Sequence, residues 1–309
     1  MADFFVGIDS GGTKTRARLW FPENNVKKDF EVGASNFCSA GFQEGSKNIE
    51  ILWKMLQKES GKNAKCLGIG VGAAGVSSSD ALKMFVDCME RAGIGDIPLK
   101  IVSDAQAALY GAVEDDSGVI LISGTGSVCF GQNKKGKTHQ AGGDGHLIGD
   151  EGSGYAIGRD ILSAAIKEMD RRGERTVLTE YVLEEKQFQG IQDIIRYVYS
   201  GENSKARIAA FAPLLMKACE NQDQEARRIA KNASRSLAKQ AACVVEQLGE
   251  QEGTLAFSGS ILKKMPVISD DVRSRLQERF PDLRIIEGKS DALDGALFLI
   301  QREAARQVR

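Results

Sequence analysis

The chain has almost no net charge, only two histidines and no long apolar run, and each of these absences removes a class of function. Its 41 basic and 42 acidic residues leave a formal charge of −1, so no bulk field draws it to nucleic acid or to an anionic membrane. Nothing approaches the roughly 18 consecutive apolar residues of a membrane span. Two histidines with no H-x-x-x-H spacing argue against a histidine-built zinc site, and His146 reads as structural. Six cysteines, Cys38, Cys66, Cys88, Cys129, Cys219 and Cys243, contain no C-x-x-C pair, so reduced thiols packed in a core are expected. At the start, Asp3 leads directly into an apolar strand without a basic region and apolar signal core. The expectation is a cytoplasmic protein with no nucleic-acid or membrane partner.

What the chain does have is glycine in two particular places. Asp9-Ser10-Gly11-Gly12-Thr13-Lys14-Thr15 follows the apolar run Phe4 to Ile8, and Ser123-Gly124-Thr125-Gly126-Ser127 follows Val119 to Ile122. Glycines let a backbone approach a polyanion, and successive N–H groups with small hydroxyls form a concavity suited to phosphate. Two such turns more than a hundred residues apart suggest a nucleotide phosphate chain held from both sides.

The rest of the chain alternates strand and helix. Thr15, Ala17, Leu19 and Phe21 alternate with polar or amphipathic neighbours, Pro22 to Asn25 makes a turn, and Val26 to Val32 returns as a strand. Helical spacing over residues 45–60 precedes a strand over 66–71, a helix over 80–92 and a strand over 99–102; Asp104 then stands at the start of a helix over 105–113. The polar break at residues 115–118 marks a domain boundary. Strand, glycine turn and strand then begin again over 118–132. A glycine-rich stretch over 141–158, a helix over 159–172 and a mostly helical region over 204–248 follow, with Gly249 as its terminating residue. A strand over 254–257 enters Ser258-Gly259-Ser260; the last strand spans 283–286 and the last helix 291–307. With 309 residues, this predicts an α/β protein of two domains.

Two further motifs are expected to be coincidental. Gly131-Gln132-Asn133-Lys134-Lys135-Gly136-Lys137-Thr138 spells a P-loop, but His139-Gln140-Ala141-Gly142-Gly143 follows where the motif needs a helix. A basic hairpin tip is predicted instead. Gly70-Val71-Gly72-Ala73-Ala74-Gly75 spells G-x-G-x-x-G, but the next strand-end acid, Asp104, lies too far on for a dinucleotide site. Close packing at a strand-to-helix turn explains it.

Five segments, Asp9–Thr15, Val102–Ala105, Ile122–Ser127, Gly142–Gly154 and Phe257–Ser260, stand in an order that resembles the sugar kinase, Hsp70 and actin superfamily. Within it the chain is similar to the branch holding N-acetylglucosamine kinase and the BadF/BadG/BcrA/BcrD ATPases; Gly149-Asp150-Glu151-Gly152-Ser153 carries much of that likeness. The resemblance implies a two-lobed, ribonuclease H-like, actin/hexokinase-type ATPase fold. One lobe would span residues 1–116, completed by the helix over 291–309, and the other residues 117–290 with a helical insertion. It implies ATP and Mg²⁺ as cofactors. Asp9 would hold Mg²⁺ through water; Gly11, Gly12, Thr13, Lys14, Gly124, Thr125 and Gly126 would contact phosphates; Ser258, Gly259 and Ser260 would pack on adenosine. Asp104 would be the catalytic base, a role compatible with helix capping. Asn36, Asp104, Asp144 and Asp150 would face the sugar, for which amides and carboxylates supply complementary donors and acceptors.

The implied reaction is transfer of the γ-phosphate of ATP to the 6-hydroxyl of an amino sugar: N-acetylglucosamine, glucosamine or N-acetylmuramic acid. Three departures bear on the sugar. Asp144 stands where N-acetylglucosamine kinases usually carry tryptophan, Val128 where some carry asparagine, and Ala73-Ala74 replaces a serine-bearing turn. Asp144 would favour a free amine. The competing readings are a BadF-type activator of a partner enzyme, which would need cysteines placed for an iron–sulfur cluster, and a non-catalytic ATP- or sugar-binding protein. A homodimer through residues 204–248 and a buried helix there are equally compatible with the amphipathic pattern.

Overall fold

The computed structural model describes residues 3–12, 14–35, 41–61, 63–76, 79–115, 117–200 and 204–307. Chain contacts divide it into two units, one of Met1–Asp116 with Gly288–Arg309 and one of Ser117–Glu287.

The first unit opens with β1 (Phe4–Ser10), β2 (Lys14–Phe21) and β3 (Val26–Gly33). These pair antiparallel in sequence, with Asp9 opposite Arg16 and Ser10 opposite Thr15. Helix α1 (Phe42–Ser60) leads to β4 (Cys66–Ala73), and α2 (Ser79–Arg91) leads to β5 (Leu99–Ser103); both strands join parallel, giving the order β3-β2-β1-β4-β5. Alternation decides the buried face of β2: Ala17 and Leu19 are fully enclosed while Arg16 and Arg18 point the other way. β1 lies between two neighbours and reads as a continuous apolar run because both its faces are covered. Val6, Ile8, Ile69 and Val71 pack with Ile49, Leu52 and Leu56 of α1 and Phe85 of α2.

The other face of this sheet receives α3 (Asp104–Val113) and α12 (Ala292–Gln307), and glycine makes that packing possible. A methyl placed on Gly70 would lie 1.9 Å from the Ala296 carbonyl oxygen, and one on Gly295 would lie 1.8 Å from that of Ala107. The G-x-G-x-x-G spelling is therefore a seam where helix backbone rests on strand backbone.

The second unit repeats the plan. β6 (Gly118–Ser123), β7 (Ser127–Gln132) and β8 (Thr138–Gly142) form an antiparallel meander, and β9 (Thr254–Ser258) and β10 (Arg284–Glu287) join parallel in the order β10-β9-β6-β7-β8. Between β8 and β9 come α4 (Gly154–Met169), α5 (Leu178–Lys186), α6 (Ile191–Tyr199), α7 (Ser204–Ala209), α8 (Leu214–Glu220) and α9 (Gln224–Leu248). After β9 come α10 (Ser260–Lys264) and α11 (Pro266–Arg279). α9 packs Ile229, Ala233, Leu237, Ala241 and Val245 in one stripe onto the core around Val119, Leu121 and Phe257. Asp223 caps its start by accepting from the Ala226 N–H at 2.8 Å, and Gly249 ends it in the left-handed region at φ 71°.

Several expectations are corrected in detail. The helix placed at 159–172 begins at Gly154, where Ser153 caps it. The mostly helical region 204–248 is three helices, and α11 lies between the last two strands. Cys88 and Cys129 are core residues, but Cys243 is exposed, with its Sγ 3.8 Å from His139 Nε2. The buried stripe of α9 includes residues on both sides of Cys243 and leaves it facing outward. The P-loop spelling is the β7–β8 hairpin: Gln132 pairs with Thr138, and the Asn133 side chain accepts from the Lys135 and Lys137 N–H groups. Among the described residues no helix is long and apolar enough to cross a membrane.

Candidate active site

The first glycine turn lies at the carboxyl end of β1, between β1 and β2. Its Gly11 N–H donates to the Lys14 carbonyl at 3.1 Å. Behind it, the Ser35 hydroxyl lies 2.7 Å from that of Ser10 and 2.6 Å from that of Thr15, all three residues being fully buried. This hydroxyl cluster fastens the turn to the segment after β3. Arg16 Nη2 donates to Asp9 Oδ2 at 2.6 Å across the β1–β2 pair, leaving Asp9 Oδ1 unclaimed by that contact. Lys14 pairs with Glu31 at 2.7 Å on the exposed surface. Thr13 and Asn36 lie outside the described residues.

Asp104 stands at the carboxyl end of β5, on the same sheet edge as Asp9 and the Ala73–Ala74 turn; β4 links them in register, with Ser10 opposite Ala73 and Ala73 opposite Ser103. The residue capping α3 is Ser103, whose hydroxyl accepts from the Gln106 N–H at 3.1 Å. Asp104 is the first helical residue, and its Oδ1 accepts from the Ala105 N–H at 2.9 Å. The expected coexistence of base and cap is thus divided between two neighbours. Partial enclosure of the carboxylate raises its pKa above the ordinary aspartate value. The Ala105 N–H opposes that rise, and the negative charge of Asp9 adds to it.

In the second unit, the turn between β6 and β7 is fastened along its length to residues 150–155. Ser123 Oγ donates to the Gly152 carbonyl at 2.9 Å, and Ser127 Oγ to that of Glu151 at 2.8 Å. In return, the Gly154 N–H donates to the Gly124 carbonyl at 2.7 Å and the Tyr155 N–H to that of Thr125 at 3.2 Å. Gly124 N–H closes the turn on the Gly126 carbonyl at 2.9 Å. Among the described residues, the Thr125 and Gly126 N–H groups have no acceptor. Gly259, at φ 89°, lies against this turn, and a methyl there would meet the Ser123 carbonyl oxygen at 2.2 Å. Ser260 is also close to Gly124, its Oγ 3.9 Å from where a Gly124 Cβ would stand, so Ser258-Gly259-Ser260 and the turn form one surface.

Asp150 lies against the Gly126 side of the turn. It is only 3% exposed, with a left-handed φ of 61°. Its Oδ1 accepts from the Ser127 N–H at 3.1 Å and its Oδ2 from Lys205 Nζ at 2.7 Å. The expected sugar ligand therefore has both oxygens engaged within its own unit. Asp144 is exposed on the loop after β8, where Leu147 and Ile148 are also exposed, and His146 packs edge-on against Tyr155 with ring centroids 4.8 Å apart.

Sequence reasoning passed over Arg16, Ser35 and Lys205. The alternation of β2 places Arg16 across from Asp9 and could have revealed it. Lys205 carries no local signal, since its partner lies 55 residues earlier in the chain.

A family model for the BadF/BadG/BcrA/BcrD ATPases matches residues 6–299. The chain belongs to this family. As a BadF/BadG/BcrA/BcrD ATPase it is 34% identical over 304 residues to the N-acetylmuramic acid/N-acetylglucosamine kinase of Clostridium acetobutylicum, covering 97% of this chain and 99% of that one. It is 29% identical to the N-acetyl-D-glucosamine kinase of Dictyostelium discoideum, covering 96% and 97%. Among solved structures, a Chromobacterium violaceum protein aligns with a TM-score of 0.72 at 25% identity, covering 97% of this chain and 99% of that chain. The two five-stranded sheets of like order have the ribonuclease H-like, actin/hexokinase-type ATPase fold, shared with the ROK sugar kinases.

Proposed function

We propose that this ATPase-family member is an amino-sugar kinase, transferring the γ-phosphate of ATP to the 6-hydroxyl of N-acetylglucosamine, N-acetylmuramic acid or glucosamine. The observation that carries the reading is the position of Asp104: a carboxylate with one oxygen held by the Ala105 N–H, at the sheet edge that also bears Asp9 and the first glycine turn. Phosphoryl transfer needs little covalent chemistry from a protein, so an oriented acceptor for the hydroxyl proton and a cradle for the phosphates suffice. Asp104 takes the sugar hydroxyl proton. Its raised pKa brings a carboxylate nearer the working pH, which favours general-base transfer.

The Thr125 and Gly126 N–H groups donate to phosphate oxygens in this reading, and the Ser258–Ser260 segment supports the adenosine. Mg²⁺ would arrive with the nucleotide, since this ion keeps several waters and needs one or two carboxylates beside phosphate. Asp9, whose Oδ2 is held by Arg16, would hold it through water; when bound, the ion would neutralise charge on the phosphates.

Asp144, an exposed carboxylate, favours a free amine such as that of glucosamine. A coupled ADP-release assay over glucosamine, N-acetylglucosamine, N-acetylmuramic acid and glucose tests the proposal. Turnover on an amino sugar above that on glucose is expected. Background rates on all four would contradict it.

A further inference from the structure

Asp150 presents a problem that Lys205 solves. Its side chain is 4% exposed, yet it supplies the acceptor that holds the Ser127 N–H at the foot of the second glycine turn. A carboxylate withdrawn from water is costly unless a cation and hydrogen bonds compensate it. Lys205 Nζ, 2.7 Å from Oδ2 with its side chain 34% exposed, is the cation that does so. The pair also lies directly against the turn. A methyl on Gly126 would meet the Asp150 oxygens at 2.9 and 3.1 Å and Lys205 Nζ at 3.1 Å. The turn therefore has the Asp150–Lys205 pair as a wall on its Gly126 side.

We propose that Lys205 is a positioning residue for nucleotide binding: acting through Asp150, it fixes the Gly124–Ser127 turn in the shape that receives phosphate. Lys205 holds Asp150 oriented, Asp150 holds the Ser127 N–H, and the adjoining Thr125 and Gly126 N–H groups remain available to phosphate. Without the ammonium, the carboxylate is left buried and uncompensated and turns toward water, and the turn loses its anchor at Ser127. This inference rests on the nucleotide reading of the second turn and is independent of which sugar is phosphorylated.

The test is Mg·ATP affinity by calorimetry with no sugar present, accompanied by a thermal melt. Lys205→Met removes the charge at similar length and is expected to weaken nucleotide binding about tenfold or more, by leaving a buried carboxylate uncompensated. Lys205→Arg, which can still pair, is expected to stay within about threefold of the parent. The decisive comparison is Asp150→Asn with Asp150→Asn/Lys205→Met. If Lys205 acts only through the carboxylate, adding Lys205→Met to the Asp150→Asn variant changes affinity by no more than about twofold, as coupled sites require. A double variant much weaker than Asp150→Asn would overturn the proposal and assign the ammonium to the phosphates directly. Parent-like affinity in folded Lys205→Met would overturn it too. Should Lys205→Met not fold, the Asp150→Asn pair still decides, because neither member buries a lone charge. A parent protein that binds Mg·ATP but phosphorylates no sugar would contradict the proposed function and leave this test intact.

Discussion

Gly295→Ala is a sharp test of how the fold positions its candidate base. Residue 295 lies in α12 where that helix crosses α3, the helix that Asp104 begins, and the added methyl would stand 1.8 Å from the Ala107 carbonyl oxygen and 2.6 Å from the Gly111 nitrogen. Ordinary contact begins at roughly 3.4 Å, so the two helix backbones must separate by about 1.5 Å or more, and no flexible side chain is available to give way. Overpacking of this kind costs typically 1–3 kcal/mol, and backbone-on-backbone contact places this site at about 2–3 kcal/mol. For a unit approaching 150 residues, that corresponds to a fall in apparent Tm of roughly 4–12 °C. Displacement of α3 also moves Asp104, and a misplacement of about 1 Å can cost around a hundredfold in rate. Differential scanning fluorimetry and kcat on the same preparation read both effects. Gly190→Ala is the control: its φ of 168° is extended and a methyl there meets nothing within 4 Å, so the melt should not move. A Gly295→Ala protein with parental Tm and kcat would refute the close crossing.

Two other outcomes follow from the geometry. Arg16→Gln removes the cation 2.6 Å from Asp9, so Asp104 feels more of the Asp9 charge and its pKa rises further; the acid limb of kcat/KM should move to higher pH, and a shift to lower pH would contradict the coupling. Lys137→Ala removes the lysine of the P-loop spelling, whose Nζ donates to the Gln247 carbonyl at 2.7 Å, and Mg·ATP affinity measured by calorimetry should stay at the parental value.

Much of this was legible in the amino-acid order because the relevant chemistry is local. The two glycine turns stand directly after apolar strands, so both turn positions and their strand partners could be read, and the missing helix after Thr138 separated the hairpin from a true P-loop. Asp104 at a strand end was equally visible. What escaped depends on contacts distant in sequence. Burial of Asp150 is imposed by Lys205 and Ser127 from separate elements, and neither lies within the Gly149–Ser153 motif that singled it out. The cap on α3 moved by one residue because Ser103 already offered a hydroxyl three positions before Gln106. Helix α11 presents only the narrow stripe Ile268, Val272 and Leu276 to the core, which is little signal against an otherwise polar segment.

The central claim is that Asp104 takes the proton from the sugar hydroxyl. Asp104→Asn keeps the side-chain size and can still accept from the Ala105 N–H, but it cannot take up a proton at working pH. On the amino sugar that the parent turns over fastest, kcat should fall by about 10²- to 10⁴-fold, the usual contribution of a general base. Mg·ATP and sugar affinities should remain near their parental values. An Asp104→Asn protein that retains most of its kcat would contradict the account.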